Sequence, residues 1–139
     1  MTKQLITIQA TVNAPVEKVW HCYNTPADIM QWNHASDDWH CPASNNDLRA
    51  GGRFSHTMAA KDGSFQFDFS GKYDDIIPHQ SIAYTLDDGR MVKMLFEQKG
   101  NQTQIISEFE PEQFNPLDMQ QAGWQAILNN FKQYVESKN

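Results

Sequence analysis

Phe65-Gln66-Phe67-Asp68-Phe69-Ser70-Gly71-Lys72-Tyr73 alternates apolar and polar residues without a break. Successive side chains of a strand point to opposite faces, so this run reads as a strand with Phe65, Phe67, Phe69, Gly71 and Tyr73 on its inner face. Working backwards, Lys61-Asp62-Gly63-Ser64 reads as a hairpin loop, with Gly63 free to take a positive φ. Before it, Arg53 to Ala59 alternates again, with Phe54, His56 and Met58 on one face. Ala50-Gly51-Gly52 reads as a turn, and Asp37 to Cys41 as a short strand. Working forwards, Pro78-His79-Gln80 turns the chain, and Ile82, Tyr84 and Leu86 form a further strand. Asp87-Asp88-Gly89-Arg90 makes a hairpin, Met91 to Glu97 a strand, Lys99-Gly100-Asn101-Gln102 a turn, and Ile105, Ser107 and Phe109 a last strand. Strands joined by turns this short pair antiparallel, because a parallel crossover needs a dozen or more residues.

Outside this meander the period changes. Leu5 to Val12 reads as a first strand. Asn13-Ala14-Pro15 then offers an N-cap and a first-turn proline, and Val16, Val19, Trp20 and Tyr23 recur at helical spacing. Thr25-Pro26 ends that helix and starts a second short one with Ile29, Met30 and Trp32 on its buried side. At the other end, Asn115-Pro116 opens a long helix with Pro at the first helical position. Leu117, Gln120, Trp124, Ile127, Leu128, Phe131, Tyr134 and Val135 form its apolar stripe, which lies on the sheet. The expected class is α+β: a curved antiparallel sheet around a long C-terminal helix, with two short helices after the first strand. No linker or repeat divides residues 1–139, so they read as a single domain.

Composition narrows the partners. Sixteen aromatic residues in 139 supply enough apolar area for a core and for the lining of a cavity. The net charge of −6 and the scattered basic residues argue against a nucleic-acid surface and against docking on an anionic membrane. No apolar run approaches the roughly 20 residues of a membrane span. The start, Met1 to Ile8, has no continuous hydrophobic stretch of the kind a secretion signal carries. Together with only two cysteines, Cys22 and Cys41, this leads to the expectation of a cytoplasmic protein with reduced thiols.

A sheet of this size twists and curls, and one helix cannot cover its whole concave face. Large side chains, the short helices or a ligand must fill the remainder, and apolar hollows with a few polar groups are the usual small-molecule sites. The residues expected to line one here are Trp32, Phe54, His56, Phe67, Phe69 and Met94, with Gln120 and Trp124 as its roof. Gly123 would let the helix backbone approach an opposing strand or ligand.

Several other residues have two readings. His56 could bond a ligand or shuttle a proton, although a hydrogen-bonded core histidine is the commoner outcome. Asp68 could be a cavity carboxylate, but alternation places it opposite the Phe stripe. His40 lies near a strand end, where histidines are mostly solvated. Arg53 and Arg90 could meet an acidic ligand or pair with the chain's own carboxylates. Cys22 reads as a small buried residue rather than a nucleophile. No histidine pair has metal-binding helical spacing, and Gly51-Gly52-Arg53 lacks the Lys-Ser/Thr and helix of a phosphate loop. No metal and no cofactor is expected.

Four stretches carry a family resemblance. Ala14-Pro15-Val16-Glu17-Lys18-Val19-Trp20, followed by Thr25-Pro26 and Trp32, resembles the start of START-like SRPBCC domains. The segments 47–54 (DLRAGGRF), 67–73 (FDFSGKY) and 114–124 (FNPLDMQQAGW) are similar to single-domain proteins related to the C-terminal domain of the heat-shock-protein ATPase activator. The resemblance implies the helix-grip fold shared with birch-pollen-allergen-like carriers and polyketide cyclases. The leading functional expectation is a carrier or sensor of a small hydrophobic molecule. The alternatives are an enzyme of cyclase, hydrolase or aromatase type, and an interaction module with a chaperone partner.

Overall fold

The computed structural model describes residues 4–138, so Met1-Thr2-Lys3, part of the start read as carrying no secretion signal, lie outside the described residues. In chain order the elements are β1 (Ile6–Val12), α1 (Val16–Asn24), α2 (Pro26–Trp32), β2 (Trp39–Asn46), β3 (Arg53–Ala60), β4 (Gln66–Ile77), β5 (Ser81–Leu86), β6 (Met91–Lys99), β7 (Gln102–Phe109) and α3 (Leu117–Ser137). The seven strands form one curled sheet in the order β1-β7-β6-β5-β4-β3-β2. Every neighbouring pair is antiparallel, as the short turns require. The helices α1 and α2 carry the chain from one edge, β1, to the other, β2. The helix α2 rests on β2, and α3 runs beside β1. Side-chain amides fix the second contact: Gln121 donates to the Thr7 carbonyl at 3.1 Å and Gln125 to the Gln9 carbonyl at 2.9 Å.

Rows of inward side chains cross the sheet in register. Ile82, Met94, Ser107 and Ile8 form one row across β5, β6, β7 and β1. Tyr73, Tyr84, Val92, Phe109 and Ile6 form another. In a third, Phe54 faces Gly71. A Cβ on Gly71 would meet the Thr85 carbonyl oxygen at 2.5 Å and the Phe54 Cζ at 3.0 Å, so only glycine admits the Phe54 ring here.

Two bulges shift the alternation. Between Tyr73 and Asp75 the register slips, so the partly buried position after it is Ile76 rather than an odd-numbered residue. Between His40 and Ala43 the slip falls at Pro42, which has no N–H to give to a ladder. The strand β2 therefore continues to Asn46, well beyond the short strand expected to end near Cys41.

Helix starts also differ from expectation. Asn13 does not cap α1. The cap residue is Pro15, and the Val16 N–H is satisfied by Gln98 Oε1 of β6 at 2.7 Å, while the Asn13 N–H goes to Glu136 Oε2 at 2.8 Å. In α3 Pro116 is the cap, one residue before the first helical position, and Leu117 stays largely exposed. Met30 is exposed as well, since Asp28, Ile29 and Trp32 form the buried side of α2. Among the described residues no helix is long and apolar enough to cross a membrane.

Candidate ligand cavity

The concave face is covered unevenly. Beneath α3, Phe109, Phe131 and Val135 have no exposed surface. Trp124 stacks on Phe109 with centroids 3.8 Å apart and planes at 13°, and its edge reaches Phe69 at 5.7 Å. Between the sheet and the helices a cavity of about 200 Å³ remains, bordered by Trp124, Ile127 and Leu128 of α3 and reaching from Ile8 and Ser107 across to the residues of β3, β4 and β5.

Seven of the eight expected lining residues border it: Trp32 from α2, Phe54 and His56 from β3, Phe67 and Phe69 from β4, Met94 from β6, and Trp124 from α3. Gln120 does not. Its buried amide instead ties down the segment leading into α3. Oε1 accepts the Glu112 N–H at 2.9 Å, and Nε2 donates to the carbonyls of Glu112 and Asn115 at 3.1 and 2.7 Å. A helix-entering segment has backbone groups that need partners, and Gln120 supplies them. Nor does Gly123 make a close approach, because nothing lies within 4 Å of the position a Cβ would take. Phe65 precedes β4 and is 58% exposed, against the inner-face expectation. Phe67, at 45% exposed, forms part of the cavity rim, and both rings meet Trp39.

The cavity also contains polar groups outside the expected lining set. The Tyr73 hydroxyl donates to Asn46 Oδ1 at 2.5 Å, and Asn46 Nδ2 donates to the Asn24 carbonyl at 2.7 Å. Asn46 and Ser44 reach the inner side only because the bulge at Pro42 restarts the alternation. Tyr23 stacks on Trp32 at 5.0 Å, and the Trp32 indole donates to the Cys22 carbonyl at 3.0 Å. Tyr84 packs edge-on against Phe54 at 4.9 Å. Burial pushes the Tyr23, Tyr73 and Tyr84 hydroxyls upward from the ordinary phenol range, and mutual repulsion of their ionised forms raises Tyr73 and Tyr84 further. All three stay neutral phenols at any physiological pH.

His56 is the cavity's one histidine among the described residues. Its Nδ1 shares a hydrogen bond with Ser44 Oγ at 2.9 Å, leaving Nε2 for another partner. Burial pushes its pKa down to about 4, so the ring is neutral at pH 7. The remaining candidates lie outside. Asp68 accepts from Thr57 Oγ1 at 2.9 Å on the outer face, and His40 is exposed. Arg53 pairs with Asp87 at 2.6 Å and Arg90 with Asp88 at 2.8 Å. Cys22 and Cys41 are buried thiols whose pKa values rise, chiefly from desolvation, which is the opposite of nucleophile activation. Among the described residues no three His, Cys, Asp or Glu side chains gather as a metal site.

A curled antiparallel sheet gripping one long helix, with a hollow between them, defines the START-like helix-grip class. Within it, the chain belongs to the family described as Activator of Hsp90 ATPase homolog 1-like protein, whose family model matches residues 13–136. Among solved structures, an AHSA1-like protein from Aeromonas hydrophila is 43% identical, with a TM-score of 0.91 over 96% of this chain and 93% of that one. Chr148 from Cytophaga hutchinsonii is 54% identical, with a TM-score of 0.82 over 94% and 91%. CV1439 from Chromobacterium violaceum shares the fold at 20% identity, with a TM-score of 0.86 over 97% and 99%. No curated protein matches the chain.

Proposed function

We propose that residues 1–139 act as one domain that binds a small, predominantly apolar molecule in the cavity beside α3, as a carrier or sensor. The observation that carries this reading is a hollow of about 200 Å³ lined mainly by aromatic and aliphatic side chains. Its rim is formed in part by the half-exposed Phe67, so the hollow is not sealed from outside. Apolar hollows with a few fixed polar groups are the usual form of small-molecule sites.

Binding is favoured over catalysis by the state of His56. A general base works best with a pKa near the operating pH, and burial holds His56 near 4. Asp68 and His40, the other acid–base candidates, face away from the cavity. Titration of ¹⁵N-labelled protein with toluene tests the reading. The Trp32 and Trp124 indole signals should shift, while that of Trp39, outside the cavity, stays in place. No shift at Trp32 and Trp124, or a shift at Trp39 alone, would defeat the proposal.

A further inference from the structure

The cavity is polar in an unusual way: it has hydrogen-bonding groups and no charge. Among the described residues lining it there is no Asp, Glu, Lys or Arg. Arg90, the cation that acts on Tyr84, is paired with Asp88 at 2.8 Å. The Tyr73 hydroxyl is spent on Asn46. The hydroxyls of Tyr23 and Tyr84 have no hydrogen-bond partner among the described residues. They come from opposite walls, Tyr23 from α1 and Tyr84 from β5, and both border the same hollow. Neither hydroxyl is a sealed orphan, since among the described residues only His34 Nδ1 is buried without a partner, so both open into the cavity and are free to donate to a ligand there. An acceptor placed between them would satisfy both.

Resting on the binding role above, we infer that the ligand is a neutral one- or two-ring molecule bearing a carbonyl-type acceptor, which the Tyr23 and Tyr84 hydroxyls hold from opposite walls of an uncharged cavity. Size sets the ring count. An apolar cavity of roughly 150 Å³ holds one benzene ring, and this one measures about 200 Å³. Charge sets the rest. A carboxylate would lose its hydration with no cation to replace it, whereas a ketone, aldehyde or quinone oxygen loses little and gains two donors.

Calorimetry at pH 7 with three probes of one shape tests this: tetralin, 1-tetralone and tetralin-1-carboxylate. Tetralone should bind about tenfold more tightly than tetralin, the gain expected of one or two net hydrogen bonds, and the carboxylate should bind weakest. The variants Y23F and Y84F should lower tetralone affinity more than tetralin affinity and so erode the tetralone advantage, with an unaltered thermal unfolding transition showing that the fold survives the substitutions. In the unaltered protein, the carbonyl stretch of bound tetralone should lie at lower frequency than in hexane, a readout that needs no variant. Equal binding of tetralone and tetralin, tightest binding of the carboxylate, or an unshifted carbonyl band would overturn the ligand class while leaving the cavity role standing. Failure of all three probes to bind would overturn the cavity role itself.

Discussion

The two halves of one concave face behave differently although the same sheet builds both. Beside β1 and β7, α3 lies close enough for Trp124 to stack flat on Phe109 and for Phe131 to lose all exposure. Across β3, β4 and β5 the inward residues are just as large, yet Phe54, Phe69 and Tyr84 border open volume. Side-chain size therefore does not decide which half is solid. What differs is the packing partner: Phe109 is held flat against Trp124, whereas Ile8 and Ser107 on the same strands, with Ile127 and Leu128 of α3, border the cavity together with the β3–β5 residues.

Substitutions should separate the two halves by their cost in stability. F131A removes a ring from the solid half and should destabilise the protein by about 3–5 kcal/mol in urea denaturation, the usual cost of a large cavity in a packed core. Because the Phe131 ring also supports Tyr23 and Trp32 edge-on at 5.2 and 4.9 Å, toluene affinity of the protein that remains folded should fall as well. G71A acts in the open half, where the added Cβ meets the Thr85 carbonyl oxygen and the Phe54 ring. It should cost about 1–3 kcal/mol by overpacking, and toluene affinity should fall because Phe54 is pushed into the cavity.

The pH dependence offers a subtler contrast. His56 has a folded-state pKa near 4, below the ordinary 6.5 expected of the unfolded chain. Between those values the unfolded chain binds more protons, so stability declines as pH falls from 6.5 towards 4. Going from pH 7 to pH 4.5, this one group should remove about 2 kcal/mol. H56Q should show that much less acid sensitivity than the unaltered protein in denaturation at the two pH values. The smallest effect belongs to the outer face. D68N breaks only the exposed bond from Thr57 and should change stability by less than about 0.5 kcal/mol, with no change in toluene binding.

The same contrast explains what the sequence could reveal. Strand alternation on either side of Gly71 and the α3 stripe were legible, because burial on one face leaves a periodic trace. Seven of the side chains expected on the inner face border the cavity. Its polar character was hidden for three reasons. Tyr23 and Tyr84 sit at apolar-periodic positions, where a phenol cannot be told from core packing. Asn46 lies in Ala43-Ser44-Asn45-Asn46, which has loop composition, and it faces inward only through the bulge at Pro42. Gln120 fits the helical stripe, yet its amide serves the loop before α3, a long-range pairing that no local pattern encodes.

Crystals pressurised with xenon test most directly whether the interior between the sheet and Trp124 is hollow. Xenon should appear as a strong peak bordered by Phe54, Phe69, Tyr84 and Trp124, and not between Phe109 and Phe131. A cavity without xenon, with Trp124 or Phe67 folded in to fill it, would contradict the account.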